Sequence, residues 1–575
     1  MDTETIQETA HENRGKSRGR RRLSAWASTL LCALIAVLLS ACGTSVRVML
    51  GGAEKPENVL TASSVVFLPM ESVRTLNPIL SKDEDSYRIW KLIYDGLFEP
   101  GDDLSMTPSL AESYAYDESG LSMNIRLKSG LLWSDGEPLD AADVVFSIDA
   151  YAADPNAHLY GENVRGIRSA KVAAEDPLSL VVSFRDAKDA SAALLTFPIL
   201  PAHLYRNRGE LRGKAEDFIP VGSGPYAVKE FDRYSHLTLV GNPHFSGGET
   251  PRNTLEFKMI PSMNDALNML GINAISYAVS KEGDRATIYR DANIRVRSFP
   301  SNEAVWIGFN FNGGPLARKE VRQAVAFAVN SEELLEVCFF SSGVPADSIY
   351  YPGFLGIGEN ADPYPVNIDK SNLLLSLAGL SDANGDGFRE YFSVEEGEEE
   401  GALRTLSLRL LVRGDDVSGV SAAQMIGSSL SRVGLACELA VLDGEAYSAA
   451  LAEGAYDLWL GGAVMSERYD LRSLLHSAYG NPIAYADPAM DALLDDFAAA
   501  KSEDARRETF AEIHARLVDE IPYYCLFYKT YGAAASPALE GDPDPRFDDI
   551  YRGCESWRCV YETASSAGKT GAVGE

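Results

Sequence analysis

The chain has 575 residues, of which 46% are hydrophobic, 9% aromatic and 23% charged. That is enough apolar material for more than one core, and it argues against a mostly disordered chain. With 52 Lys and Arg against 83 Asp and Glu, the formal charge is −31, the wrong sign for a surface that must neutralise nucleic-acid phosphates.

Six basic residues, Arg14, Lys16, Arg18, Arg20, Arg21 and Arg22, precede the uncharged stretch Leu23–Ala41. A positive segment followed by an apolar one is the layout of an export signal. It ends in Leu39-Ser40-Ala41-Cys42-Gly43. Small residues before a Cys resemble the lipobox of bacterial lipoproteins, which predicts cleavage of residues 1–41 and a lipid on Cys42. A plain transmembrane helix is the alternative reading of this stretch, and no later one approaches ~20 apolar residues. The body is therefore expected outside the cytoplasmic membrane, tethered through 42–61.

Further on, Val65–Leu68 reads as a short buried strand, and the alternation from Leu121 to Leu127 as a half-buried one. Gly222-Ser223-Gly224-Pro225 predicts a turn, followed by strands at Ala227–Val228 and Leu237–Val240. In the second half, Val321, Ala324, Val325, Ala328 and Val329 share one helical face. Ser421–Val433 is predicted as a helix stopped by Gly434, Leu435–Leu442 as a strand, Glu445–Glu453 as a helix stopped by Gly454, and Tyr456–Leu460 as a strand. This rhythm predicts a mostly parallel sheet covered by helices. A long helical stretch runs from Ala489 to about Glu520, with Tyr523–Tyr528 as the last strand. Glu395, Glu396 and Glu398–Glu400 form an acidic loop, and 563–575 reads as a disordered tail.

Enzyme signatures are missing. The seven His residues are scattered, with no metal-binding pair, and no nucleophile elbow occurs. Gly222–Ala227 matches a dinucleotide-binding pattern only formally, because a strand follows it where a helix N-terminus is needed. Asp382-Ala383-Asn384-Gly385-Asp386-Gly387 resembles the start of a calcium loop, but its twelfth position is Ser393, so it is read as a tight turn and no metal is assigned. Cys338, Cys437 and Cys525 sit in apolar runs as small buried side chains. Cys554 and Cys559 either close a disulfide outside the cytoplasm or stay free. Neither a catalytic constellation nor a cofactor emerges.

Several short blocks nonetheless occur in order: Thr75-Leu76-Asn77-Pro78, Ile93-Tyr94-Asp95-Gly96-Leu97, Pro108–Ser113, Ile125–Leu139 around Trp133-Ser134-Asp135-Gly136, and Ala142–Ser147. Leu200–Leu204, Gly222–Tyr226, Asn242-Pro243, Phe309-Asn310 and Val321–Val325 follow. Together they resemble the extracytoplasmic solute-binding proteins of the oligopeptide/dipeptide/nickel family of ABC transporters. The resemblance implies an α/β, two-lobed periplasmic-binding-protein-like fold of type II, with an extra domain inserted in the first lobe. Lobe I would comprise 62–106, 223–308 and 520–562, the insert 107–222, and lobe II 309–519. It also implies a monomer that closes on a peptide or similar small solute and docks on permease subunits. Arg322 and the turn motifs are expected to be structural.

In peptide-binding members an Asp beyond the strand corresponding to Tyr456–Gly462 pairs with the peptide ammonium. Here Ser466 falls at that position and Ala463 where a Trp is usual, so Glu467 or Asp470 would have to substitute. Leu270-Gly271-Ile272-Asn273 also departs from the family pattern. Trp306 and Asn310 are further cleft candidates, although a core role suits Trp306 equally. A sensor or adaptor on the same scaffold and a secreted hydrolase are the competing functions.

Overall fold

Strand β1 (Val65–Met70) buries Val66 and Leu68 completely. The structure, a computed structural model, describes residues 58–564 except 189, 206, 214–217, 282–292, 359–360, 394–400 and 467. Residues Ala62–Val560 form one compact unit. The export segment, Cys42, most of the linker, the acidic loop and all of the expected tail but 563–564, which extend a strand, lie outside the described residues. Among those described, no helix is long and apolar enough to cross a membrane.

Helix α1 (Glu84–Ile93) starts where the Asp83 carboxylate accepts from Ser86 N at 2.8 Å, a favourable N-cap. Strands β2 (Ala111–Tyr116) and β3 (Ser122–Leu127) follow, then helix α2 (Ala141–Ala152) and strands β4 (Ile167–Ala173) and β5 (Asp176–Phe184). The strands form one antiparallel sheet in the order β2-β3-β5-β4. The alternation read from the sequence holds: Met123, Ile125 and Leu127 are buried while Asn124 and Arg126 face solvent.

The sequence blocks turn out to fasten the chain to itself. Gly136, at φ +91°, closes a turn in which its N–H donates to Trp133 O at 2.9 Å. Asp143 completes a capping box with Asp140 and also accepts from Trp133 Nε1 at 3.3 Å and Ala202 N at 2.8 Å. A Cβ on Gly222 would meet Ile93 O at 1.9 Å, so only glycine lets this loop lie against the end of α1. Strands β6 (Tyr226–Asp232), β7 (His236–Gly241) and β8 (Thr254–Met259) then join β1 in the order β1-β8-β7-β6.

The central sheet is built around two long strands. Its members are β9 (Tyr277–Ser280), β10 (Arg295–Phe309), and, beyond helices α3 (Lys319–Ala328) and α4 (Ile368–Leu377) and the hairpin β11 (Glu390–Ser393) and β12 (Ala402–Thr405), strand β13 (Ser407–Arg413). Helix α5 (Val417–Ser431), β14 (Ala436–Leu442), α6 (Gly444–Glu453), β15 (Leu458–Val464), α7 (Pro488–Ala499), α8 (Glu503–Glu520) and β16 (Tyr523–Ala535) complete it. The order is β9-β16-β10-β15-β13-β14. Strand β13 is parallel to both β14 and β15, whereas β10 is antiparallel to β15 and β16. The sheet is thus mixed rather than mostly parallel, because the two long strands run through it in opposite directions.

Three element bounds also differ. Helix α5 begins before Ser421, where Asp416 caps Gly419 N at 2.9 Å. The predicted helix from 489 to 520 is two helices, because Ser502 starts a new one by accepting from Ala505 N at 3.2 Å. Strand β16 runs well past Tyr528 and is followed by β17 (Leu539–Glu540) and β18 (Arg558–Ala564).

Side chains alternate across the central sheet. Ile307 and Phe309 enter a core with Leu410 and Leu458, whereas Trp306 enters one with Trp459, Tyr523 and Phe510 on the other face. Arg322, 1% exposed, donates to Leu316 O and Ala317 O at 2.9 Å and to Glu520 O at 2.6 Å, so its role is structural, as expected.

The cysteine pair does not close. Cys554 and Cys559 are free thiols. Cys554 Sγ lies 3.8 Å from Tyr226 Oη, while Cys559, paired with Leu539 across β17 and β18, lies 3.2 Å from Ser276 Oγ. The buried Trp557 between them and the start of β18 send the two sulfurs to different partners.

Candidate functional site

The long strands change register twice, most widely after Pro300 and again between Val305 and Trp306. Strand β10 pairs with β16 through Pro300↔Thr530, then resumes only at Ala304↔Tyr528. Ser301, Asn302 and Glu303 occupy the break. Asn302 is held there by reciprocal bonds to Met465, its Nδ2 donating to Met465 O at 2.6 Å and its O accepting from Met465 N at 2.7 Å. A register break in both through-strands concentrates bending at a few residues.

A cavity of about 630 Å³ opens beside this break. One wall carries Tyr87 of α1, Met106, Tyr160, Asn163 and Thr196, and the other carries Met465, Ser466, Arg468, Asp470, Arg472 and Tyr479, with Asn302 between the walls. The size suits a small organic ligand. Tyr469 adopts the left-handed region at φ +48°, and its ring is wedged against Phe354 at 5.1 Å. This constrained residue turns the chain so that Arg468 and Asp470 both reach the cavity.

The electrostatics of the second wall are largely settled internally. Arg472 donates to Asp470 through Nε at 2.9 Å and Nη2 at 2.6 Å and lies 5.3 Å from the centre of the Tyr479 ring. Burial pushes the Asp470 carboxyl up, but the hydrogen bonds and charge of Arg472 outweigh it and hold the group below its ordinary value. Glu162 pairs with Arg165. Arg468 has no hydrogen bond or ion pair among the described residues. A recess beyond the cavity adds Lys188 and Arg506, paired to Asp495 and Glu503. This end of the cavity is therefore set to receive an anionic group.

The residues expected at the site separate into three groups. Ser466 and Asp470 line the cavity. Trp306 does not: it is fully buried, 5.3 Å from Tyr523 and 5.8 Å from Trp459 between ring centres. Nor does Asn310, whose Nδ2 is spent on Gly454 O at 2.9 Å and Tyr456 O at 2.7 Å. Glu467 lies outside the described residues. Asp470 lies at the cavity as expected for a ligand residue, but Arg472 engages both its oxygens and offsets its charge there. Arg468 and Arg472 lie in the same short segment, but nothing in their spacing sets them apart from ordinary surface charges. Tyr87, Tyr160 and Asn302 carry no local signal at all.

A mixed α/β chain with its cavity where the central strands bend has the form of a two-lobed solute-binding protein. Residues 105–483 match the family model for bacterial extracellular solute-binding proteins, family 5 (middle region), and the chain belongs to that family. It is similar to the oligopeptide-binding protein AppA of Bacillus subtilis, with 22% identity over 94% of this chain and 99% of that protein. It is also similar to the glutathione-binding protein GsiB of Escherichia coli K12, with 28% identity over 55% of this chain and 62% of that one. The unliganded open form of the murein tripeptide-binding protein MppA shares the fold, with a TM-score of 0.73 and 18% identity over 88% of this chain and 99% of that one. Proteins of this family are extracytoplasmic, non-enzymatic substrate-binding components of ABC importers.

Proposed function

We propose that this protein is a lipoprotein, anchored through Cys42 after loss of residues 1–41, that captures a short peptide or similar carboxylate-bearing solute and delivers it to an ABC permease as a monomer. Lobe I is taken as 62–106, 223–308 and 520–562, the insert as 107–222, and lobe II as 309–519. The observation that carries the reading is the cavity beside the register break, walled from both sides and presenting Arg468. Solute contacts made to both walls favour the closed state, and bending at Ser301–Glu303 lets the walls approach. AppA, GsiB and MppA are named for peptide ligands, which agrees with this solute class. A bare nickel ion would find neither imidazole nor thiolate among the described residues lining the cavity.

The test is native mass spectrometry of the unlipidated domain (43–575) purified without added ligand, before and after mild unfolding and refolding. A releasable mass that resolves into peptides is expected. A sugar or other non-peptide mass would sink the peptide assignment while keeping the scaffold.

A further inference from the structure

The segment from Asp382 to Glu390, between α4 and β11, holds a second cluster of chemistry remote in sequence from the solute cavity. Carboxylate oxygens of Asp382, Asp386 and Glu390 lie within 4.8 Å of one another. The loop is tightly formed: Asp382 accepts from Gly385 N at 2.7 Å and Gly387 N at 3.0 Å, and Asn384 Oδ1 accepts from Asp386 N at 2.8 Å. Glu390 N donates to Ser381 O at 2.9 Å and closes its base. Two exposed aspartates on such a turn would need no ligand.

Glu390 is different. It is only 5% exposed. Its Oε2 accepts from Ala383 N at 2.7 Å, but Oε1 is buried with no hydrogen-bond partner among the described residues. An ionised oxygen withdrawn from water and left unpartnered is costly, the more so beside two further carboxylates. The adjacent Arg389 does not resolve this. The charge of Arg389 acts on Asp382, yet its N–H groups go to Val433 O, Leu380 O and Asn372 Oδ1.

We propose that this loop binds one calcium ion through Asp382, Asn384, Asp386 and Glu390. Oxygen ligands at positions one, three and five with Gly at six match a calcium loop, and Glu390 stands at position nine. The carboxylate that a helix–loop–helix site takes from position twelve comes here from position nine, where β11 starts and buries it. Ser393 at position twelve therefore does not disqualify the loop. All-oxygen donors without imidazole or thiolate select a hard dication over zinc. The ion neutralises Glu390 and ties α4 to the hairpin that leads into β13.

The mature chain, stripped with chelator and dialysed, is titrated with CaCl2 by calorimetry, and its thermal unfolding is followed with calcium or magnesium at about 1 mM, the range of extracellular sites. One calcium per chain and a rise in Tm larger with calcium than with magnesium are expected. In Glu390→Gln and in Asp386→Asn the affinity falls at least about tenfold and the calcium-dependent rise disappears. Asp386 is exposed, so its variant decides the matter if Glu390→Gln folds poorly. Absence of saturable binding overturns the proposal, as does wild-type affinity in either folded variant. Neither result bears on the solute cavity.

Discussion

Arg472 grips Asp470 through two hydrogen bonds of 2.9 and 2.6 Å, so the carboxylate best placed to meet a solute ammonium is already neutralised. Arg468, two residues earlier, is the charge at the cavity left without a hydrogen bond or ion pair among the described residues. On the proposed reading, the polarity expected at the site reverses, from a solute cation to a solute anion.

This reversal is open to direct measurement. Arg468→Gln is expected to weaken peptide binding about 10- to 100-fold, the loss of one charge-assisted hydrogen bond of about 1.5–3 kcal/mol, with little change in Tm. Amidating the peptide C-terminus should weaken binding to the parent similarly and add little in the variant. Asp470→Asn should instead lower stability, by about 1–2 kcal/mol for this partly exposed pair. Calorimetry with free-acid and amidated peptides tests the first two outcomes, and urea unfolding the third.

Trp306→Phe separates core from cleft. The ring fills the core between Trp459 and Tyr523, and its Nε1 has no hydrogen-bond partner among the described residues. Its truncation should cost about 1–3 kcal/mol of stability and leave solute affinity within about twofold of the parent. A large loss of affinity at unchanged stability would return Trp306 to the cleft.

Acid stability should depend on Asp548. Burial alone would raise its carboxyl, but Lys91 and Arg546 outweigh burial and bring it down to about 2. Lys91 Nζ lies 3.2 Å away, and Arg546 Nη2 donates at 2.9 Å. Because the folded value is depressed, the stabilisation is fully present above the ordinary carboxylate range near pH 4 and is lost as pH falls toward about 2. Asp548→Asn should therefore lose on the order of 2 kcal/mol at pH 7 and converge on the parent in acid. Denaturant unfolding between pH 2 and 7 measures this.

The thiols give a chemical check on the C-terminal region. All five described cysteines, Cys338, Cys437, Cys525, Cys554 and Cys559, are free. Alkylation of the denatured, unreduced protein should modify each of them. Protection of Cys554 and Cys559 as a pair, released only by a reductant, would show that they are bridged.

Much was legible in the sequence because it is local. Alternation placed β3, Gly454 in its left-handed cap ended α6, and the ordered blocks identified the family, since each block fastens a nearby turn or helix end. What the tertiary structure decided depends on contacts between distant segments. The antiparallel course of β10 and β16 made the sheet mixed, and their shared register break put the cavity beside Asn302. The partnership with Arg472 offset the charge of Asp470, alternation across β10 sent Trp306 into the core, and burial at the start of β11 turned an ordinary acidic turn into one with an orphaned carboxylate oxygen. Sequence spacing says which chemical groups are available, but the charge a cavity presents is what remains after neighbours brought together by folding have paired.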